Sequence, residues 1–197
     1  MPVVPGEPLP GSTLTPVSVA QLATGTLPIP RAGQMVLSPV KGPTYSNLPT
    51  FVRLTFDRQV EIAPGGAPYV TDQVAVYGAA ATVWVIAEPM QLNVNDSTAT
   101  LYTSCSYQGS QDMVLHPRQV ASTGANGKAD CGVTFHQPGN WTITATVAWR
   151  TCWVPTVVYS PPPANCTPVP GANLNPATWT KTVPVHEIQA ANGSGAT

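Results

Sequence analysis

Charge is the scarcest ingredient of this chain. Charged side chains make up 9% of its 197 residues, against about 25% in an ordinary globular domain. The eight lysines plus arginines are scattered singly and the formal net charge is −1, so there is no basic patch to neutralise a phosphate backbone and nothing to draw the chain to an anionic surface. Nucleic acid is therefore not expected as a partner. A continuous apolar run of about 18 residues, the minimum for a spanning helix, is also missing, which excludes membrane insertion by that route. Stretches with a helical period and no interrupting Pro or Gly are lacking as well, so helix is expected to be nearly absent. The start, Met1 to Ser12, has neither the basic opening nor the apolar segment of a secretory signal. Export thus implies a leader ahead of this numbering; without one the protein is not exported.

What is abundant is turn-forming material, with 23 Pro and 16 Gly, between short segments that alternate in polarity. The clearest alternation begins at Trp141, where Trp141, Ile143, Ala145, Val147 and Trp149 share one parity, and Thr142, Thr144, Thr146, Ala148 and Arg150 the other. That is a half-buried antiparallel strand. Ahead of it Cys131, Val133 and Phe135 alternate with Gly132, Thr134 and His136, and Gln137-Pro138-Gly139-Asn140 supplies a turn, predicting a hairpin or a corner. Gln34 to Val40 reads as an edge strand, and Phe51 to Ile62 as one long amphipathic strand bent near Arg58. Two runs flank Gly78, and the second, Thr82 to Ile86, is apolar at both parities. Such a strand has to be covered on both faces, as a central strand or beneath the N-terminal segment. Met90 to Val94, Thr100 to Tyr107, Cys152 to Tyr159 and Trp179 to Gln189 complete the set, with Gln108 to Asp130 the largest internal loop. About eight short strands without crossover helices predict an all-β, antiparallel, immunoglobulin-like β-sandwich over residues 34–190. It is preceded by an extended Pro-rich arm over 1–33 and followed by a tail over 191–197.

The four cysteines, Cys105, Cys131, Cys152 and Cys166, form no Cys-x-x-Cys pair and no zinc-like cluster with histidine, so disulfides are expected in place of a metal. Three connectivities are open. Chain order favours Cys105 with Cys131 and Cys152 with Cys166, each closing a loop beside a strand end. Oxidised cysteines would place the protein outside the cytosol.

Several of these segments together carry a family resemblance. Asn47-Leu48-Pro49-Thr50-Phe51, Met90 through Thr98, Cys131-Gly132-Val133-Thr134-Phe135, Gly139 through Trp149, and Val185-His186-Glu187-Ile188-Gln189-Ala190 resemble a group of secreted actinobacterial proteins with a PKD-like (polycystin-repeat-like) immunoglobulin-type domain. The resemblance runs from about Leu27 to Asn192. It implies an extracellular or wall-associated sandwich without catalysis. Where PKD-type domains carry glycine-aspartate-glycine, this chain has Asn95-Asp96-Ser97 and keeps only the central carboxylate, and Cys152 and Cys166 are additions of its own.

Catalytic signatures are absent: no Gly-x-Ser-x-Gly elbow, no His-Glu-x-x-His and no Gly-rich phosphate loop. His116, His136 and His186 lie in unrelated segments and read as independent surface or edge residues. Asp96 and Asp130 lack the several oxygen ligands that calcium needs, and Asp96 suits an Asx-turn better. His186 and Glu187 are adjacent in a strand and point to opposite faces. The sequons at Asn95, Asn140, Asn165 and Asn192 are read as chance in a Thr-rich chain. No enzyme activity, cofactor or metal is expected. Among the tryptophans, Trp141 and Trp149 share parity with core residues, whereas Trp153 and Trp179 have polar or Pro-containing flanks. Trp153, Trp179 and Tyr159 are therefore the candidate interaction surface for a protein or cell-wall glycan. The expected role is a non-catalytic extracellular or cell-surface module for adhesion, spacing or protein interaction. One alternative is a self-assembling fibre, coat or virion-type subunit whose arm exchanges strands. Another is a carbohydrate-binding accessory module.

Overall fold

The computed structural model describes residues 14–38, 43–64, 66–76, 78–103, 114–115 and 131–187. In chain order the elements are α1 (Pro16–Thr26), β1 (Ala32–Ser38), β2 (Thr44–Tyr45), β3 (Pro49–Phe56), β4 (Glu61–Ile62), β5 (Pro68–Val76), β6 (Ala79–Ala87), β7 (Gln91–Val94), β8 (Thr100–Thr103), β9 (Val114–Leu115), β10 (Cys131–Thr134), β11 (Gly139–Val147), β12 (Trp149–Val154) and β13 (Ala177–His186). The fold is all-β with one short helix, as the alternation predicts for everything after the arm. The chain divides into two compact units, passing between them after Pro30, Gln59, Glu88, Val147 and Pro176.

The first unit is built on the antiparallel sheet β12-β6-β5-β4. A turn through Gly78, at φ +81°, joins β5 to β6 in a hairpin whose register sets Tyr69 opposite Ile86, Thr71 opposite Trp84 and Val74 opposite Ala81. Because strand neighbours alternate in direction, β6 sends Ala79, Ala81 and Val83 to one face and Thr82, Trp84 and Ile86 to the other. All of these side chains are buried. The first face is covered by α1, whose Val19, Ala20 and Ala23 pack with Ala79, Ala81, Val83 and Val169. On the second, Tyr69, Trp84, Ile86 and Cys152 pack with Val154, Val158 and Cys166. The double cover that the β6 sequence demands is thus a helix on one side and a Pro-rich loop on the other.

That helix corrects the expectation of an extended arm over 1–33. Thr15 is its N-cap, its hydroxyl accepting from the Ser18 amide at 3.2 Å, and Pro16 occupies the first turn, where a missing N–H costs nothing. Gly25 falls in the last turn. The residues that look like interruptions are a start signal and a near-terminal glycine, and the eight positions between them are free of both Pro and Gly.

The second unit is a two-layer arrangement of β1-β3-β10-β8, with β9 also on β3, and β2-β13-β11-β7. Pairing is antiparallel except for β2 with β13. Buried Val52 and Leu54 of β3 and Val133 of β10 belong to one layer, and buried Ile143, Ala145 and Val147 of β11 with Trp179, Val183 and Val185 of β13 to the other. The layers are joined where the Trp179 indole donates to the Thr55 carbonyl at 2.9 Å and meets the Phe56 ring edge-on at 5.4 Å. Strands β10 and β11 lie in different sheets, so Gln137-Pro138 makes a corner, with the Trp141 indole donating to the Gln137 carbonyl at 3.1 Å. The long strand read over Phe51 to Ile62 is two strands, β3 and β4, in different units, and the alternation from Trp141 likewise breaks at Ala148 between β11 and β12. Strand β10 is central and buried along its length, which corrects the exposed face assigned to Gly132 and Thr134. A Cβ at Gly132 would collide with the Thr50 carbonyl of β3.

Gly132→Ala should therefore destabilise the protein by roughly 1–3 kcal/mol through forced strand separation. Gly25→Ala, where the added methyl meets nothing within 4 Å, should stabilise it by about 0.5 kcal/mol. Chemical denaturation of the two variants checks the contrast.

Candidate functional site

The sequence between Cys152 and Cys166 contains Pro155, Pro161, Pro162 and Pro163, residues that offer a sheet no amide hydrogen. It cannot extend the sheet as a strand, yet its carbonyls still need donors. The polar side chains on the second face of the β5–β6 hairpin provide them. The Thr82 hydroxyl donates to the Thr156 carbonyl at 2.7 Å and accepts from the Val158 amide at 2.9 Å. The Gln73 amide nitrogen donates to the Val158 carbonyl at 2.8 Å, and the Trp84 indole to the Ser160 carbonyl at 3.1 Å. Covalent closure comes from the Cys152–Cys166 disulfide, with Cα atoms 5.4 Å apart, in the pairing that chain order favours. Beside it, the Trp153 amide donates to the Thr167 carbonyl at 3.0 Å.

This anchoring sorts the loop's side chains. Val158 turns inward onto Trp84 and Ile86, while Val157 is 41% and Tyr159 89% exposed. The Tyr159 ring stands in solvent between two peptide groups whose carbonyls, Val158 and Ser160, are both held by the sheet.

Of the three candidate interaction residues, Tyr159 is at the surface and the other two are not. Trp179 is 3% exposed, because it shares parity with Ala177, Val183 and Val185; the threonines that flank it occupy the outer face of β13. Trp153 is half-buried against the α1 cluster, and its indole N–H is enclosed without a hydrogen-bond partner. Cys131 is buried and disulfide-bonded; Cys105, His116, Asp130 and Asn192 lie outside the described residues. Asp96 forms the Asx-turn, its Oδ1 accepting from the Thr98 amide at 2.8 Å and the Thr98 hydroxyl at 2.7 Å. Asn95 accepts from the Thr142 amide, and Asn140 and Asn165 are exposed. Among the described residues no three His, Cys, Asp or Glu side chains are grouped so as to hold a metal.

Two polar arrangements escape a reading by spacing. His186 meets the Tyr45 ring edge-on at 6.4 Å, while His136 bonds through Nδ1 to Asn47 Oδ1 at 3.0 Å and through Nε2 to the Thr100 hydroxyl at 2.9 Å. Nothing in the local sequence marks Asn47 or Thr100 beyond an Asn in a turn. In the first unit, the Tyr69 hydroxyl donates to Glu61 Oε2 at 2.5 Å, the two residues being direct cross-strand partners. Burial of the phenol, then the hydrogen bond and the negative charge of Glu61, push Tyr69 up to about 12 from 10.0.

A phenol with a raised folded-state pKa contributes stability that is complete below pH 10.0 and lost as pH rises toward 12. Near-ultraviolet titration should show one tyrosine of the six ionising after the rest, and Glu61→Gln should bring it earlier. The paired substitution Cys152→Ser/Cys166→Ser, which opens a loop of sequence separation 14, should cost about 3 kcal/mol by denaturant titration.

No protein-family model matches this chain, and neither a curated protein nor a solved structure does.

Proposed function

We propose that this chain is a non-catalytic extracellular or cell-surface β-sandwich module whose Cys152–Cys166 loop is a protein-interaction surface. The observation that carries the reading is Tyr159, 89% exposed on a backbone that a disulfide and side-chain hydrogen bonds hold in place. A tyrosine supplies a large amphipathic contact with few rotatable bonds, and a loop ordered before contact spares the partner that ordering cost. Oxidised cysteines support an oxidising compartment, where a sandwich of the PKD-like type would act in adhesion or spacing. Self-assembly by strand exchange loses support because residues 16–26, the middle of the arm it needs, are helix α1 packed against β6. Sugar binding keeps one supporting observation, the exposed phenol ring itself, which offers a face for stacking.

Labelled protein should bind intact cells of the producing organism, and Tyr159→Ala should weaken that binding at least about tenfold while leaving stability within about 0.5 kcal/mol. Protease treatment of the cells should also abolish it. Binding that ignores Tyr159→Ala sinks the proposal. Binding that survives protease and appears on a wall-glycan array, still sensitive to Tyr159→Ala, moves the module to sugar recognition.

A further inference from the structure

The second unit holds a relay that the interaction loop does not involve. Asn47 Oδ1 accepts from His136 Nδ1 at 3.0 Å. An imidazole that donates at Nδ1 presents its lone pair at Nε2, and there the Thr100 hydroxyl stands at 2.9 Å. Hydroxyl, imidazole and orienting side-chain oxygen thus occupy the roles of nucleophile, general base and tautomer-fixing group, and such an arrangement is recognised by geometry and role, whatever the chain order. Three separate segments build it: the turn before β3, the first residue of β8, and the corner after β10. Asn47 sits at φ +62°, and its amide donates to the carbonyl of Phe135, the fully buried neighbour of His136. The turn is fastened to the corner by backbone as well as by side chain, which fixes the distance between Asn47 and the imidazole. All three side chains are exposed, so an acyl donor reaches Thr100 without a conformational change.

We infer that Thr100 is an acyl-acceptor site, activated by His136 with Asn47 as its positioning residue, for acyl groups carrying a good leaving group such as aryl esters and thioesters. General-base assistance alone contributes about 10²–10⁴-fold, enough for activated esters. In the step, the Thr100 hydroxyl proton passes to His136 Nε2 as Oγ1 bonds the acyl carbon. The bond from that carbon to the leaving group breaks with its electron pair, and the imidazolium returns its proton to the departing aryloxide or thiolate. The product is an ester on Thr100 and a neutral leaving group, with no turnover required. The site shares no residue with the Tyr159 loop, so either assignment stands if the other fails.

The test is incubation of the intact protein with p-nitrophenyl acetate, followed by peptide mapping. One acetyl group should accumulate on Thr100 roughly a hundredfold faster than on Thr178 or Thr180, which are exposed on β13. Thr100→Ser should keep the reaction. His136→Gln, which retains hydrogen-bonding capacity without the base, should bring Thr100 down to the rate of the other threonines. Asn47→Ala should slow it and Asn47→Asp restore it, a rescue that a purely structural pin does not require; circular dichroism of each variant confirms the fold. Acetylation of Thr100 no faster than of Thr178, acetylation insensitive to His136→Gln, or acetyl held on the imidazole without transfer to Thr100 would each overturn the assignment.

Discussion

A strand with apolar side chains on both faces has to be covered twice, and the first unit is organised around that requirement of β6. Neither cover is a second sheet. One is a helix of small residues, Val19, Ala20 and Ala23 over Ala79, Ala81 and Val83, where alanine on both surfaces permits close approach. The other is a loop too rich in proline to join a ladder, laid over Trp84 and Ile86. Such a loop buries apolar surface but brings carbonyls with it, and an unpaired buried carbonyl costs about 1–3 kcal/mol. Thr82, Gln73 and Trp84 answer that cost from the face of the sheet itself. Trp84 serves both purposes, its ring filling the core and its N–H holding Ser160.

In the second unit the same economy rests on Trp179. Its ring fills the space between the layers, and its single polar atom finds the Thr55 carbonyl, so a large side chain is buried with no donor left over. Lys181, two residues on, reaches the Met35 carbonyl at 3.1 Å, keeping its charge at the margin while its stem lies along the strand.

Alternation made the strands legible, and double-sided apolarity in Thr82 to Ile86 announced the two covers before their identity was known. Two things were not legible for definite physical reasons. Proline and glycine break a helix in its interior but begin and end one at its termini, and the short segment from Pro16 hid behind that ambiguity. Period two also reports which face a side chain occupies without reporting which sheet the strand joins. The runs Phe51 to Ile62 and Trp141 to Trp153 therefore read as continuous although each is divided between units. The same limit concealed Trp179, whose polar neighbours lie on the opposite face of its own strand. It concealed the His136 relay more completely, since Asn47 and Thr100 are 89 and 36 residues away in sequence and only the pairing of β10 with β3 and β8 brings them together.

Exposure by itself gives little weight to a surface residue, because single exposed apolar side chains are ordinary. Leu22 at 57% and Leu48 at 47% exposure need no explanation. Tyr159 differs in what lies beneath it. The carbonyls of Val158 and Ser160, one on either side, are bonded to Gln73 and Trp84, and the chain is closed by a disulfide at Cys152 and Cys166. A loop with no role beyond covering Trp84 and Ile86 would gain by turning its largest side chain inward. Here the smaller Val158 goes in and the tyrosine goes out. The rigidity that protects the core is thereby also spent on fixing one aromatic ring in solvent, and that coupling of cover to display is the reason to place the binding surface on this loop and not on the buried tryptophans.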